Sequence, residues 1–274
     1  MMRSASREAL AQLEQRQRAV LGDDASAEAL TSLAAELYSV ADLLVAQPRL
    51  RRTLGDPATQ PQRRADFVGQ ILGARVSPAA VEVTKAAVSQ RWSSPWDLTD
   101  SLERAGDDTL FAAAQRQGAL DEVEDELFRF ERILGTQSQL TTLLDEASVP
   151  VQRRTDLLRG VIGAKVQPIT LALLTHAVAS QRKRSITLAI DDLLDSAAAR
   201  RERSVARVIS AAPLTDEQQS RLTAALSALY GRAISIRAAV DPNVRGGLVV
   251  HVGDEVIDGS VAARLAQARI TLAG

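Results

Sequence analysis

The amino-acid sequence predicts a mainly α protein: two tandem helical bundles, related by an internal repeat, followed by a small α+β C-terminal domain. Three observations carry this expectation. A long stretch recurs about 90 positions later, apolar residues in both copies fall at helical spacing, and the last seventy residues change to the two-residue alternation of strands.

The repeat is read directly from the residues. Gln62-Arg63-Arg64-Ala65-Asp66 returns as Gln152-Arg153-Arg154-Thr155-Asp156. At the same offset Gly73-Ala74 matches Gly163-Ala164, Val76 matches Val166 and Pro78 matches Pro168. Leu37, Leu50 and Leu54 reappear as Leu127, Leu140 and Leu144. After a one-residue insertion, Thr84 and Ser89-Gln90-Arg91 match Thr175 and Ser180-Gln181-Arg182. Eight positions from Gln62 to Pro78 are identical, where average residue usage gives roughly one by chance. The copies are placed at residues 1–104 and 105–204.

Each copy reads as short antiparallel helices. Leu30, Leu33, Leu37, Val40 and Leu44 form a helical stripe in copy one, and Val123, Leu127, Phe130 and Leu134 form one in copy two. Gln62 to Leu72 sets Phe67, Val68, Ile71 and Leu72 on one face and ends at Gly73, an expected C-cap. Pro78 and Pro168 stand where following helices begin.

Residues 205–274 form the α+β domain. Ser204 to Ala211 alternates like a half-buried strand, and Thr215-Asp216-Glu217-Gln218 is a capping box opening a helix to about Tyr230. Strands are expected at Ala233–Val240, Gly247–Val252 and Glu255–Ile257, with Gly253-Asp254 turning the last two into a hairpin. Asp258-Gly259-Ser260 then caps a final helix through Leu272.

Composition narrows the function. Basic and acidic residues balance at 33 and 34, so the basic excess expected of a nucleic-acid binder is missing. The cysteine count of zero removes disulfides, thiolate nucleophiles and cysteine metal sites. The first twenty residues lack the apolar core of a signal peptide. The most apolar stretch, LAAELYSVADLLVA, contains Glu36 and Asp42, so membrane association is expected only through a partner.

The polar residues read as structural. Asp241, Asp254 and Asp258 lie beside Pro or Gly, where Asp caps turns. Arg245-Gly246-Gly247 lacks the Lys-Ser/Thr and helix of a phosphate loop. His176 falls where copy one has Lys85, which points to an exposed helix position, and His251 is expected to be partly exposed in mid-strand. Arg49-Leu50-Arg51-Arg52 and Arg200-Arg201-Glu202-Arg203 read as solvated charge clusters. Trp92 and Trp96 fill core volume in one reading and anchor a partner helix in the other.

One stretch identifies a family. Asp241-Pro242, Gly246-Gly247-Leu248-Val249-Val250, Gly253-Asp254, Ile257-Asp258-Gly259-Ser260-Val261 and Arg264-Leu265 resemble the signature of the delta subunit of bacterial ATP synthases. The mitochondrial oligomycin-sensitivity-conferring protein belongs to the same family. Ile209 to Thr215 resembles the family's strand leaving its helical domain, and copy two, beginning near Leu110-Phe111-Ala112-Ala113-Ala114, resembles that helical domain. The resemblance implies a non-catalytic stator subunit without cofactor or metal. It implies two partners, the N-terminal helix of an alpha subunit of the catalytic head and a b-type subunit of the peripheral stalk. It also implies a peripheral place on the cytoplasmic face of the cell membrane. Copy two is expected to bind alpha, with copy one as an additional brace. A generic helical adaptor and a hydrolase built on Asp241, Asp254 or Asp258 are the competing readings; the first leaves the motif unexplained and the second lacks a nucleophile–base pair.

Overall fold

The computed structural model describes residues 4–22, 24–180, 185–203, 205–230, 234–241, 244, 246–252 and 255–259. The chain divides into two compact units, residues 1–196 and 197–274.

The first unit is helical throughout. Copy one supplies α1 (Ser4–Leu21), α2 (Ala27–Ala46), α3 (Pro48–Leu54), α4 (Pro61–Leu72) and α5 (Pro78–Ser89), and then α6 runs from Pro95 to Arg116. Copy two supplies α7 (Leu120–Thr136), α8 (Ser138–Asp145), α9 (Val151–Ile162) and α10 (Pro168–Ala179), and α11 (Ile186–Arg203) follows. Prolines open α3, α4, α5, α6 and α10, where the missing N–H has no helical partner to lose.

The expected stripes are the core. Leu30, Leu33, Leu37, Val40 and Leu44 of α2 are all buried, as are Val123, Leu127, Phe130 and Leu134 of α7. Each such side chain contributes roughly 1.5–3 kcal/mol by leaving water. By length and composition α2 could cross a membrane, but its apolar face is committed to this core. The α4 face differs from expectation. Arg64, Ala65, Val68 and Leu72 point inward, Ile71 is half-buried and Phe67 is 37% exposed. The reason is Arg64, whose guanidinium takes the interior position. Gly73 does cap α4, through its N–H to the Gly69 carbonyl, but with an ordinary right-handed φ of −56°.

The position expected to separate the copies, between residues 104 and 105, falls inside α6. This helix packs on α1, α2, α3 and α5 of copy one and on α7 and α10 of copy two. Every residue from Thr109 to Ala114 is buried, the pattern of a helix enclosed on all sides. The last helix of one bundle is thus continuous with the first helix of the next.

Among its described residues the second unit holds the end of α11, a four-stranded sheet and one further helix. Strands β1 (Val205–Ser210), β2 (Ser235–Val240), β3 (Leu248–Val252) and β4 (Glu255–Asp258) lie in the order β2-β1-β3-β4. β1 pairs parallel with β2 through the crossover helix α12 (Asp216–Tyr230), while β3 pairs antiparallel with β1 and with β4. The capping box is present: the Thr215 N–H donates to Gln218 Oε1 at 3.0 Å and the Gln218 N–H to Thr215 Oγ1 at 3.2 Å. Ala206, Val208, Val250 and Val252 pack with Leu226 and Ile234, and the Tyr230 hydroxyl reaches Glu255 at 2.8 Å. The final helix expected through Leu272 lies outside the described residues.

Candidate functional site

The C-terminal motif builds backbone. The Asp241 N–H donates to the Ser210 carbonyl at 2.9 Å, and the Val244 N–H donates to the Asp241 carbonyl at 3.1 Å. Gly246 and Gly247 have φ of +68° and +83°, conformations that disfavour a Cβ, and they lead the chain into β3. The Gly259 N–H closes the hairpin on the Leu248 carbonyl at 2.8 Å. Asp241 follows β2 and Asp258 ends β4, the two edges of the sheet. With β1 and β3 between them, three strand spacings separate these carboxylates by roughly 14 Å, too far to share a proton. Pro242, Gly253, Asp254, Ser260, Arg264 and Leu265 lie outside the described residues. No group of three metal-ligating side chains occurs among the described residues.

The junction of the two helical copies holds the polar cluster that sequence reading missed. Tyr38 of α2 donates its hydroxyl to Asp107 Oδ1 of α6 at 2.6 Å. His176 of α10 stacks on the Tyr38 ring, with centroids 3.6 Å apart and planes 12° from parallel. Gly106 makes the close approach possible, because a Cβ there would sit 2.4 Å from Tyr38 Cε1. Burial pushes the Asp107 carboxyl up to about 8, against the lowering effect of the Tyr38 hydrogen bond; Asp108 and Glu103 raise it further and Arg104 lowers it. Burial and the carboxylate of Asp107 together raise the Tyr38 phenol well above its ordinary value. His176 is therefore half-buried and not on the surface. Lys85 is half-buried too, 33% exposed at its side chain and paired with Glu82 at 2.9 Å; what the equivalence does not carry over is the stacking on Tyr38 of copy one's α2.

One member of the cluster expected to be solvated, Arg51, lies in the interior. Arg51 is 8% exposed; it donates to the Leu44 carbonyl at 2.7 Å and lies 3.5 Å from the centre of the Trp96 ring. Trp92 is buried, its indole N–H held by the Ala87 carbonyl at 2.8 Å, so the core reading holds for it. The recurring Gln-Arg-Arg-x-Asp has a structural cause. Arg64 donates to the carbonyls of Val88 (2.6 Å), Asp56, Thr59 (2.6 Å) and Gln90 (3.1 Å), and Arg154 donates to those of Leu144 (3.1 Å) and Val178 (3.2 Å). Gln62 bridges to Asp66 at 2.8 Å, as Gln152 does to Asp156 at 3.0 Å. Glu36 accepts the Ser77 N–H at 3.0 Å before α5, and Glu126, 90 positions on, accepts the Gln167 N–H at 2.9 Å before α10. That spacing was visible in the sequence.

Exposed apolar side chains are unevenly shared. In the helical unit, copy one exposes Phe67, while copy two exposes Phe128, Ile133, Leu143, Val151 and Leu188. In the second unit Leu229, Val240, Val256 and Ile257 are exposed, the last three on edge strands. An open groove of about 630 Å³ at α8 is lined by Leu134, Ser138, Thr141, Thr142, Asp145 and Glu146, without cationic or nucleophile–base chemistry.

Comparison with known proteins gives a consistent picture. A family model described as ATP synthase delta (OSCP) subunit matches residues 108–272. The ATP synthase subunit delta of Streptomyces griseus is 44% identical over 273 residues, covering 100% of both chains. That of Salinispora tropica is 43% identical over 254 residues, covering 93% of this chain and 92% of its own. That of Rhodococcus opacus is 42% identical over 274 residues, covering 99% of each. The family model begins within α6, whereas these relatives align through copy one as well.

Proposed function

Since the chain belongs to the ATP synthase delta (OSCP) family, a stator component of a membrane-associated complex, we propose that it links the catalytic head to the peripheral stalk. In this reading copy two holds the N-terminal helix of an alpha subunit, the C-terminal unit holds a b-type stalk subunit, and copy one adds a further brace. The protein sits on the cytoplasmic face of the membrane and reaches the bilayer only through its partners.

The observation that carries this reading is the uneven apolar exposure. Among the described residues copy two leaves five large hydrophobics exposed where copy one leaves Phe67. Their burial under a partner helix would supply the anchors that helix-in-groove recognition requires. On the other unit, the edge strands β2 and β4 of the described sheet carry exposed Val240, Val256 and Ile257, which suits augmentation by a stalk segment. A stator resists torque through grip, so chemistry is not demanded of it.

The test is photo-crosslinking within the assembled synthase. A photoreactive residue at Leu143 should capture alpha, and one at Val256 should capture the b-type subunit. Capture of alpha from Phe67 and not from Leu143 would reverse the assignment of the copies. Absence of the chain from the purified complex would end the stator reading.

A further inference from the structure

We propose that Arg237, Arg207 and His251, aligned across three neighbouring strands of the C-terminal sheet, bind paired carboxylates on an acidic segment of another subunit. The proposal rests on the stator reading only for the assembly in which that segment is met.

The strand register sets the row. Arg207 of β1 lies beside Arg237 of the parallel strand β2 and opposite His251 of the antiparallel strand β3. Ala206, Val208, Val250 and Val252 pack inward with Leu226 of α12, and alternate residues of a strand face opposite ways. Arg207, Arg237 and His251 therefore share the other face, where both arginines are exposed and His251 is half-buried. Neighbouring strands stand ~4.8 Å apart, so the two guanidinium side chains leave the sheet side by side, and like charges so placed repel. A charge on an edge strand deters stray pairing, which accounts for Arg237 on β2. Arg207 stands on β1, inside the sheet, where that device has no use.

The sheet does not supply the missing anion. Neither arginine has an ion pair or a side-chain hydrogen bond with a described residue. Asp258, on the same face of β4, is one row further along and two strands from Arg207, a separation of roughly 12 Å. Glu255 faces the other way and accepts from the Tyr230 hydroxyl at 2.8 Å. Residues 260–274 contain no Asp or Glu. One row along from the arginines lie Ala239, Ile209 and Val249, exposed or half-buried, so the cations border a small apolar strip. An arginine fork takes a carboxylate through two parallel hydrogen bonds, and His251 adds a ring N–H beside it. The matching segment carries two carboxylates roughly 5 Å apart with short apolar side chains next to them. A phospholipid surface fits less well, because its recognition takes about four to eight clustered cations. Pairing at the sheet edges is made by main chain; this face selects its partner by charge.

A photoreactive residue at Ala239 of the full-length chain, in the purified synthase, tests this. The expected product joins residue 239 to a segment of another subunit in which Asp and Glu outnumber Lys and Arg. Coupling to a basic or uncharged segment, to lipid, to this chain itself, or to no other chain while capture from Leu143 persists would overturn the proposal and leave the stator reading standing. Arg207→Gln with Arg237→Gln should cut the yield from position 239 about tenfold and leave that from Leu143 unchanged. An unchanged yield from position 239 would overturn it too. The same double variant, as an isolated chain, should keep or gain amide protection in β1, because a repulsion has been removed. Lost protection would mean that the arginines hold the sheet together, and would overturn the proposal as well. A chain missing from the complex would sink both readings.

Discussion

Adding one methyl group at Gly106 should destabilise the protein, and should stabilise it once Tyr38 is gone. The new Cβ would sit 2.4 Å from Tyr38 Cε1 and 2.6 Å from Cδ1. The ring has nowhere cheap to go, because His176 stacks on it and its hydroxyl is tied to Asp107. If the ring stays, overpacking costs about 1–3 kcal/mol. If it swings away, the hydrogen bond is worth about 1 kcal/mol and the stacking about 0.5–1.5 kcal/mol. Against either loss, alanine returns about 1 kcal/mol of helix propensity inside α6. The net expectation for Gly106→Ala is a loss of roughly 0.5–2 kcal/mol, lowering Tm by roughly 1–8 °C for a unit of this size. In a Tyr38→Ala background the clash disappears and only the propensity remains, so the same change should add about 1 kcal/mol. Thermal and urea unfolding followed by helical circular dichroism, on all four chains of the cycle, reads both signs. If Gly106→Ala stabilised the parent chain, the ring would not be clamped and the account of the junction would be wrong.

Other expectations follow from the same geometry. Asp107, raised from 3.8 to about 8 in the fold, favours its protonated form there; stability should fall as pH rises from about 4 to 8 and then level off. Asp107→Asn should flatten that slope and be the more stable protein at pH 9, which urea titrations at pH 5, 7 and 9 would show. Arg64→Ala strips the donor from four carbonyls and should cost at least about 1–3 kcal/mol by equilibrium unfolding, and Arg64→Lys should recover little of it, since a point charge cannot reach four carbonyls at once. Gly247→Ala must place a side chain at a φ of +83°, costing about 1–2 kcal/mol; faster amide exchange in β3 with unchanged α2 protection would show that the cost is local.

The sequence displayed what depends on periodicity and concealed what depends on packing partners. The α2 and α7 stripes, the proline helix starts, the Thr215 capping box and the β3–β4 hairpin are written in residues a few positions apart, and each is where its pattern places it. Arg51, Arg64 and Arg154 look like surface charge because a guanidinium enters the interior only where several carbonyls converge on it, and those come from distant residues such as Val88 and Val178. The recurrence of Gln-Arg-Arg-x-Asp was the available clue. The stacking of His176 was hidden because it joins the copies: Tyr38 of α2 meets a ring on α10, and the repeat offers Lys85 at the equivalent place. Phe67 shows the converse, an apolar residue turned outward because Arg64 claimed the inward face.

The uninterrupted α6 has a consequence for how this chain can change length. A helix advances 100° and 1.5 Å with each residue. One residue inserted near Ala105 would turn everything after it by that angle about the α6 axis, carrying His176 away from Tyr38. Three or four residues would nearly complete a turn and restore the azimuth, at the cost of a shift of about one helical pitch, roughly 5 Å. The connector Ser93-Ser94 and the loop at Gly118 can absorb such edits, but the middle of α6 keeps its phase to the residue. The duplicated halves are in this sense geared to one another, and α6 is the shaft that fixes their setting.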